Sequence, residues 1–442
     1  MKINFFTPLP DERTEIANMA AVLLPELGAM AEVRAWTAQP EWQPGLDRNY
    51  EIRRFDPENL PVRDFNWADV TFYNIGNNAL FHRAIFDVAR RMPGIHILHD
   101  VRLAHFLTAY ADQPGPDRDY YLSEMDQAGL GDEARRFIEG ELPFQSLATR
   151  EPLTRAVLRP AIGGVLHNPE DMQALSAATS VPLFHVPLCL TTPMMPAPPR
   201  PARRQASPDS PIRLILFGFI GRNRCLPEIL QALAEISERR MYRLDIYGMM
   251  EEPDEAAILI RQHGLQDMVT EHGFVADDQL QAALSEADLA INLRNPTMGE
   301  ASASQLRIWA SALASLVSDV GWYATLPSSA VFRIAPGCEV VEIRRHLEAL
   351  RQTPEQYREA GQRGRMMLEQ QHQPVDYARA LLRIADEVPR MHARRNAISL
   401  SRRSAAVLLR MTDGNQAARL VPTVAQRIQE LVREADTQDT SF

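Results

Sequence analysis

The chain has 442 residues, 45% hydrophobic and 24% charged, with a formal net charge of −10 at neutral pH. That length exceeds one ordinary core and implies two or three domains of a globular protein. The acidic balance argues against general nucleic-acid binding, and no window approaches the roughly 18 uninterrupted apolar residues of a membrane-crossing helix.

The opening "MKINFFTPLPDERTEI" reads as a short strand and a polar loop, without the apolar run of a signal peptide. Its helix follows, with Ile16, Met19, Ala20, Leu23, Leu24 and Leu27 on one face. The runs "AEVRAWT", "ADVTFYNIG", "GIHILHD", "IGGVLHN" and "PLFHVPL" read as strands separated by helical patterns. Cys189, Cys225 and Cys338 show neither metal-ligand spacing nor a disulfide framework, which suits a reducing compartment. A cytoplasmic protein is expected.

Composition changes at 191–211, "TTPMMPAPPRPARRQASPDSP", which reads as a semi-rigid linker. The alternation then resumes with "IRLILFGFI", "YRLDIYG", "VTEHGF", "ADLAINL" and "SLVSDVG" as strands. Such βα alternation predicts an α/β protein with two parallel sheets, each covered by helices on both faces. The expected division is a first domain at 1–190, the linker at 191–211, a second domain at 212–372 and a helical tail at 373–442 that packs back on the body. Within 390–410 the tail carries arginines and no acid. That stretch reads either as a solvated helix face or as a patch for an anionic membrane surface.

Ligands of such sheets bind beyond the carboxyl ends of strands. There the second domain places Gly218, Gly221, Arg222 and Arg224, a turn in which amides and arginines suit a diphosphate. It also places Glu300 in the small-residue loop of "LRNPTMGEASASQLRIWASA", just before a helix. Glu300 is a candidate either for a polar ligand or for capping that helix. In the first domain His99 and Asp100 close a strand. "DRD" at 117–119 lies in what reads as a Pro/Gly loop, and His96, His99 and His105 lack the cues of a zinc site, so no catalytic metal is expected. No nucleophile elbow, P-loop or GxGxxG is present, which weakens hydrolase, NTPase and dehydrogenase readings.

Three stretches carry a family resemblance: "FFTPLPDERTEIANMAAVLLPEL", "FYNIGNNALFHRAIFDVARRMPGIHILHDVRLAHFL", and 270–327 from "TEHGFVADDQL" through the Glu300 loop to "GWYATLP". The chain resembles the GT-B glycosyltransferases, specifically the large retaining family four in its bacterial polysaccharide and lipopolysaccharide branch. The resemblance implies two Rossmann-like domains facing each other across a cleft. It implies hexose transfer from a UDP- or GDP-type sugar to a saccharide or polyprenyl-linked acceptor, with retention and without a metal or other cofactor. By position, Glu300 falls near the acid on the donor sugar, and Arg224, with Arg222, falls on its diphosphate. Gly273, Phe274 and Val275 frame the nucleobase, and Gly218, Ser302 and Ser304 complete the donor site. His99, with Asp100, faces the sugar from the first domain. Three positions depart from the family pattern. Phe219 follows Gly218 where arginine is common, Arg307 stands where a second acid is expected, and Glu15 stands where glycine is common near the phosphates or acceptor. Those departures leave a non-catalytic GT-B-like module, or an epimerase of the same architecture, as alternatives.

Overall fold

The computed structural model describes residues 1–112, 114–148, 150–193, 207–411, 419–428 and 430. Most of the Pro-rich stretch, 194–206, and the end of the predicted tail lie outside the described residues.

The first sheet contains β1 (Lys2–Phe6), β2 (Glu32–Thr37), β3 (Glu51–Arg54), β4 (Val70–Ile75), β5 (Ile95–Leu98), β6 (Gly163–Leu166) and β7 (Leu183–His185). The second contains β8 (Ile212–Phe217), β9 (Tyr242–Tyr247), β10 (Val269–Gly273), β11 (Leu289–Asn292), β12 (Ser315–Ser318) and β13 (Phe332–Ile334). Their orders are β3-β2-β1-β4-β5-β6-β7 and β10-β9-β8-β11-β12-β13, and every pairing within them is parallel. The expected pair of Rossmann-like sheets is therefore observed.

Alternation along buried strands builds a core on each face. Ile3, Phe5, Phe72, Ile95, Ile97 and Val165 pack against the helix Glu15–Gly28 on one side of the first sheet. Phe6, Trp36, Tyr73, Ile75 and Leu98 form the core on the other side. Even the polar strand residues are paired: the Trp36 indole donates to Asn4 Oδ1 at 2.8 Å, and Asn4 donates to the carbonyl of Phe65 at 2.6 Å.

The helix Pro374–Ala385 lies against Glu15–Gly28, so Tyr377 and Leu381 join the first-lobe core to Trp309, Leu306 and Leu368 of the second lobe. Backbone bonds reinforce that crossing. Leu190 donates to the carbonyl of His372 at 2.8 Å, and His372 Nδ1 lies 2.6 Å from the carbonyl of Leu188. Two departures from expectation concern local structure. "DRD" opens the helix Pro116–Gln127 rather than a loop, and Asp117 accepts from Arg83 and Arg90 at 2.8 and 3.0 Å. The strands β3 and β13 were not expected, because "EIRR" and "FRI" are too short and too charged to show a strand pattern.

The helices Ala303–Ala310 and Pro354–Gln371 touch where the latter has Gly361 and Gly364. A β-carbon at Gly364 would overlap the Trp309 ring, and one at Gly361 would overlap the carbonyl of Ala312. Alanine normally stabilises a helix over glycine by about 1 kcal/mol. Overpacking of about 1–3 kcal/mol reverses that here. Gly364→Ala is therefore expected to lower the urea midpoint; an unchanged or raised midpoint would count against this packing.

Candidate active site

The strand order reverses between β1 and β4 in the first sheet and between β8 and β11 in the second. Crevices open at such switch points, beyond the carboxyl ends of the strands. The two crevices face each other: the amides of Val101 and Arg102, just past β5, both donate to the carbonyl of Met298, at 3.2 and 2.9 Å. Gly299 allows this approach. It has φ +76, and a β-carbon there would lie 2.7 Å from that of Val101.

Glu300 organises its own loop. Its Oε2 accepts from the Met298 amide at 2.7 Å and the Thr297 hydroxyl at 2.9 Å, and its Oε1 lies 3.3 Å from Arg294 Nε. It does not cap the following helix. Ser302 does that, accepting from the amide of Gln305 at 3.1 Å. Across the interface, Asp100 accepts from the amide of Asn77 at 2.8 Å. Burial, and then the charge of Glu300, push the Asp100 carboxyl up to about 7. Two carboxyl groups and one guanidinium from two lobes thus meet in one crevice, with one carboxyl biased toward its neutral form.

His99 is neutral for a related reason. Asn74 uses its amide NH₂ on Thr7 Oγ1 at 3.0 Å, leaving its oxygen to accept from His99 Nε2 at 3.1 Å. Burial, and then the neighbouring His167 and His82, hold His99 well below the usual imidazole range. Burial also takes His82 and His167 down to about 4. The floor of the first-lobe crevice is therefore an uncharged, hydrogen-bonded imidazole cluster.

On the second lobe, Gly218 has φ +103 and donates to the carbonyl of Tyr247 at 2.9 Å. Ser304, in the first turn of the helix Ala303–Ala310, sits beside it, 3.8 Å from where a Gly218 β-carbon would lie. A helix N-terminus and an open glycine turn facing each other suit an anion. The two arginines expected there are placed otherwise. Arg224 is fully buried under the β8–β11 crevice, donating to Asn292 Oδ1 and to the carbonyl of Phe217, each at 2.9 Å. Burial, and then Arg294, bring its guanidinium down to about 9. Arg222 is 82% exposed and paired with Glu252 at 2.8 Å. Neither guanidinium lines the crevice in this structure. Arg294, the residue after the β11–Leu293 run, does, and sequence reasoning passed over it. Its signal was available: a cation directly after a buried strand, at the carboxyl end where ligands bind.

Of the three departures from the family pattern, Phe219 is exposed, whereas Arg307 and Glu15 prove to be partners. Arg307 is nearly buried and lies 3.7 Å from Glu15 of the first lobe and 2.9 Å from Asp277. Glu15 also accepts from the Thr191 hydroxyl at 2.8 Å. Beside them the Arg13 guanidinium stands over the Phe274 ring at 4.8 Å, while Val275 packs inward with Leu280 and Leu284. Gly273, with φ +65, accepts from the amide of Gly248 at 2.7 Å and turns the chain into Phe274. The carboxylate at position 15 is thus neutralised by the arginine at position 307.

Solved structures share this fold. HepE from Anabaena in complex with UDP superimposes with a TM-score of 0.59 at 14% identity, covering 88% of this chain and 100% of that one. The fold is GT-B. Sucrose-phosphate synthase from Thermosynechococcus elongatus gives 0.59 at 15% identity, covering 88% of this chain and 99% of that one. WaaG, a glycosyltransferase involved in lipopolysaccharide biosynthesis, gives 0.52 at 12% identity, covering 85% and 98%. No family model matches the chain, and no curated protein matches it by sequence.

The Asp100 environment sets a pH dependence. Its folded-state pKa is raised, so the stability it contributes is present at low pH and is lost as pH rises through about 7. Melting temperatures of wild type and Asp100→Asn should therefore diverge by a few degrees between about pH 4 and pH 7, with wild type losing ground. Parallel curves would contradict the assignment.

Proposed function

We propose that the chain is a retaining hexosyltransferase that moves a hexose from a UDP- or GDP-type sugar to a saccharide or polyprenyl-linked acceptor, without a metal, in bacterial surface polysaccharide synthesis. One observation carries this reading: Glu300 and Arg294 of the second lobe stand against Asp100 of the first, where two switch-point crevices face each other. HepE, which has the same fold, has been solved with UDP and with UDP-glucose, which supports the choice of donor class.

In this reading Glu300 accepts hydrogen bonds from hydroxyls of the donor sugar, held in position by the Met298 amide. The diphosphate lies between the Gly218 turn and the helix start at Ser302 and Ser304, with Arg294 neutralising charge that develops on departure. Arg224 adds positive field from beneath, and Arg222 takes part only by leaving Glu252. Phe274, with Gly273 and Val275, frames the base. Neutral His99 closes the sugar pocket without placing a second cation near an oxocarbenium-like centre, and Asp100 limits its negative charge by holding a proton. In this reading none of these side chains serves as a covalent nucleophile, and departure and attack occur on the same face of the sugar.

A second reading, a non-catalytic module partnering an active transferase, is favoured by the clamp of Glu15, Arg307 and Asp277, with Arg13 over Phe274, at the nucleoside end of the cleft. Incubation of the purified chain with UDP-, GDP- and ADP-hexoses and a lipid-linked or oligosaccharide acceptor separates the two. Turnover with donor-dependent release of nucleoside diphosphate, falling about 10²–10³-fold in Glu300→Ala, is expected. Turnover untouched by that substitution rejects the assignment of Glu300, and failure to bind any nucleotide sugar leaves the module.

A further inference from the structure

The helix Val388–Met411 packs on the first lobe in an unusual way. Its Met391 is buried against Gly163, where a β-carbon would lie 2.7 Å from the thioether sulfur. The stripe that continues from Met391 at helical spacing is Arg394, Arg395, Ile398, Ser399, Arg402 and Arg403. A body-facing stripe is normally apolar. Here its four arginines line a cavity of about 270 Å³, opposite Arg159.

The cavity lining contains no carboxylate. Arg159 is matched by Glu124 at 2.7 Å, and Arg155, in an adjoining cavity of about 230 Å³, has Glu151 at 3.7 Å. Among the described residues, no carboxylate forms an ion pair with Arg394, Arg395, Arg402 or Arg403. Four like charges on one helix face oppose one another. Arg395 shows this partial desolvation, its guanidinium being brought down by burial. In a chain whose net charge is −10, such a concentration of unmatched arginine is a local inversion.

The cavity is distinct from the crevice described above. Its first-lobe wall is Ala161 and Ile162, which lead into β6, and Ser180 to Pro182, which lead into β7. Those are amino ends of strands, whereas the crevice lies at the carboxyl ends.

We propose that this cavity binds a phosphate-bearing anionic group, held by Arg394, Arg395, Arg402 and Arg403 against Arg159. Guanidinium forks match phosphate oxygens in pairs, and one phosphate group presents enough oxygens to engage several arginines at once. The group can be a free polyphosphate or a phospholipid headgroup presented by an anionic membrane. The inference does not depend on the glycosyl-transfer reading.

The full chain is titrated calorimetrically with inorganic pyrophosphate. In parallel it is floated with vesicles of phosphatidylcholine alone or mixed with phosphatidylglycerol. Both are repeated with Arg395→Glu/Arg402→Glu and with the milder Arg395→Gln/Arg402→Gln, whose melting curve reports folding. Wild type is expected to bind pyrophosphate, phosphatidylglycerol vesicles or both. The paired substitutions should weaken that binding at least tenfold while leaving the thermal shift with nucleotide sugars in place. Binding of pyrophosphate alone assigns a soluble ligand, and binding of the vesicles alone assigns a headgroup. Binding of neither, or binding equal in wild type and the glutamine variant, overturns the proposal.

Discussion

The site depends on one backbone contact, the carbonyl of Met298 shared by the amides of Val101 and Arg102. It joins the two crevices directly, in addition to the shared core around Tyr377, Leu381 and Trp309 that already ties the lobes together. The loop that presents this carbonyl has no strand or helix of its own to shape it. Its form comes from Glu300, whose carboxylate gathers the Met298 amide, the Thr297 hydroxyl and Arg294, and from Gly299, which lets the two backbones approach. An acid that shapes its loop is also one whose position is fixed before any ligand arrives, which is what transition-state stabilisation requires of a charged group.

Charge around this contact is arranged by burial more than by pairing. Asp100 is held toward its neutral form, the His82, His99 and His167 imidazoles are uncharged, and Arg224 lies beneath the crevice with its charge spent on Asn292 and a backbone carbonyl. Arg294 is left as the cation in the crevice facing the two carboxyl groups. At the other end of the cleft Arg307 of the second lobe lies between Asp277 of its own lobe and Glu15 of the first. Most of the protein's ion pairs are exposed and of little energetic weight. These few, partly desolvated and placed between lobes, have larger consequences for how the lobes sit.

The strands that form the centres of both sheets were legible because buried parallel strands are continuous apolar runs: "KINFF", "IRLILF" and "LAIN" can hardly be read otherwise. The edges were not. "EIRR" in β3 owes its strand to pairing with β2, and nothing in its own pattern announces it. Within the site, Glu300, His99 and Asp100 stood out because they follow strands. Arginine was legible by type but not by depth. Arg222 and Arg224 are two residues apart in sequence, yet one is in solvent and the other fully enclosed, a difference set by the tight 3₁₀ turn at Arg222–Arg224. Glu15 and Arg307 each looked like an isolated departure from a family pattern, because a pairing across 292 positions of sequence exists only in the folded chain.

The central claim is that a nucleotide sugar is held between the lobes at this contact. Hydrogen–deuterium exchange of the full chain, with and without UDP- and GDP-hexoses, tests it most directly. The account predicts that the amides of 99–102 and of 293–304 gain protection together with one of these donors. Protection confined to one lobe, or gained in neither with every donor, would contradict it.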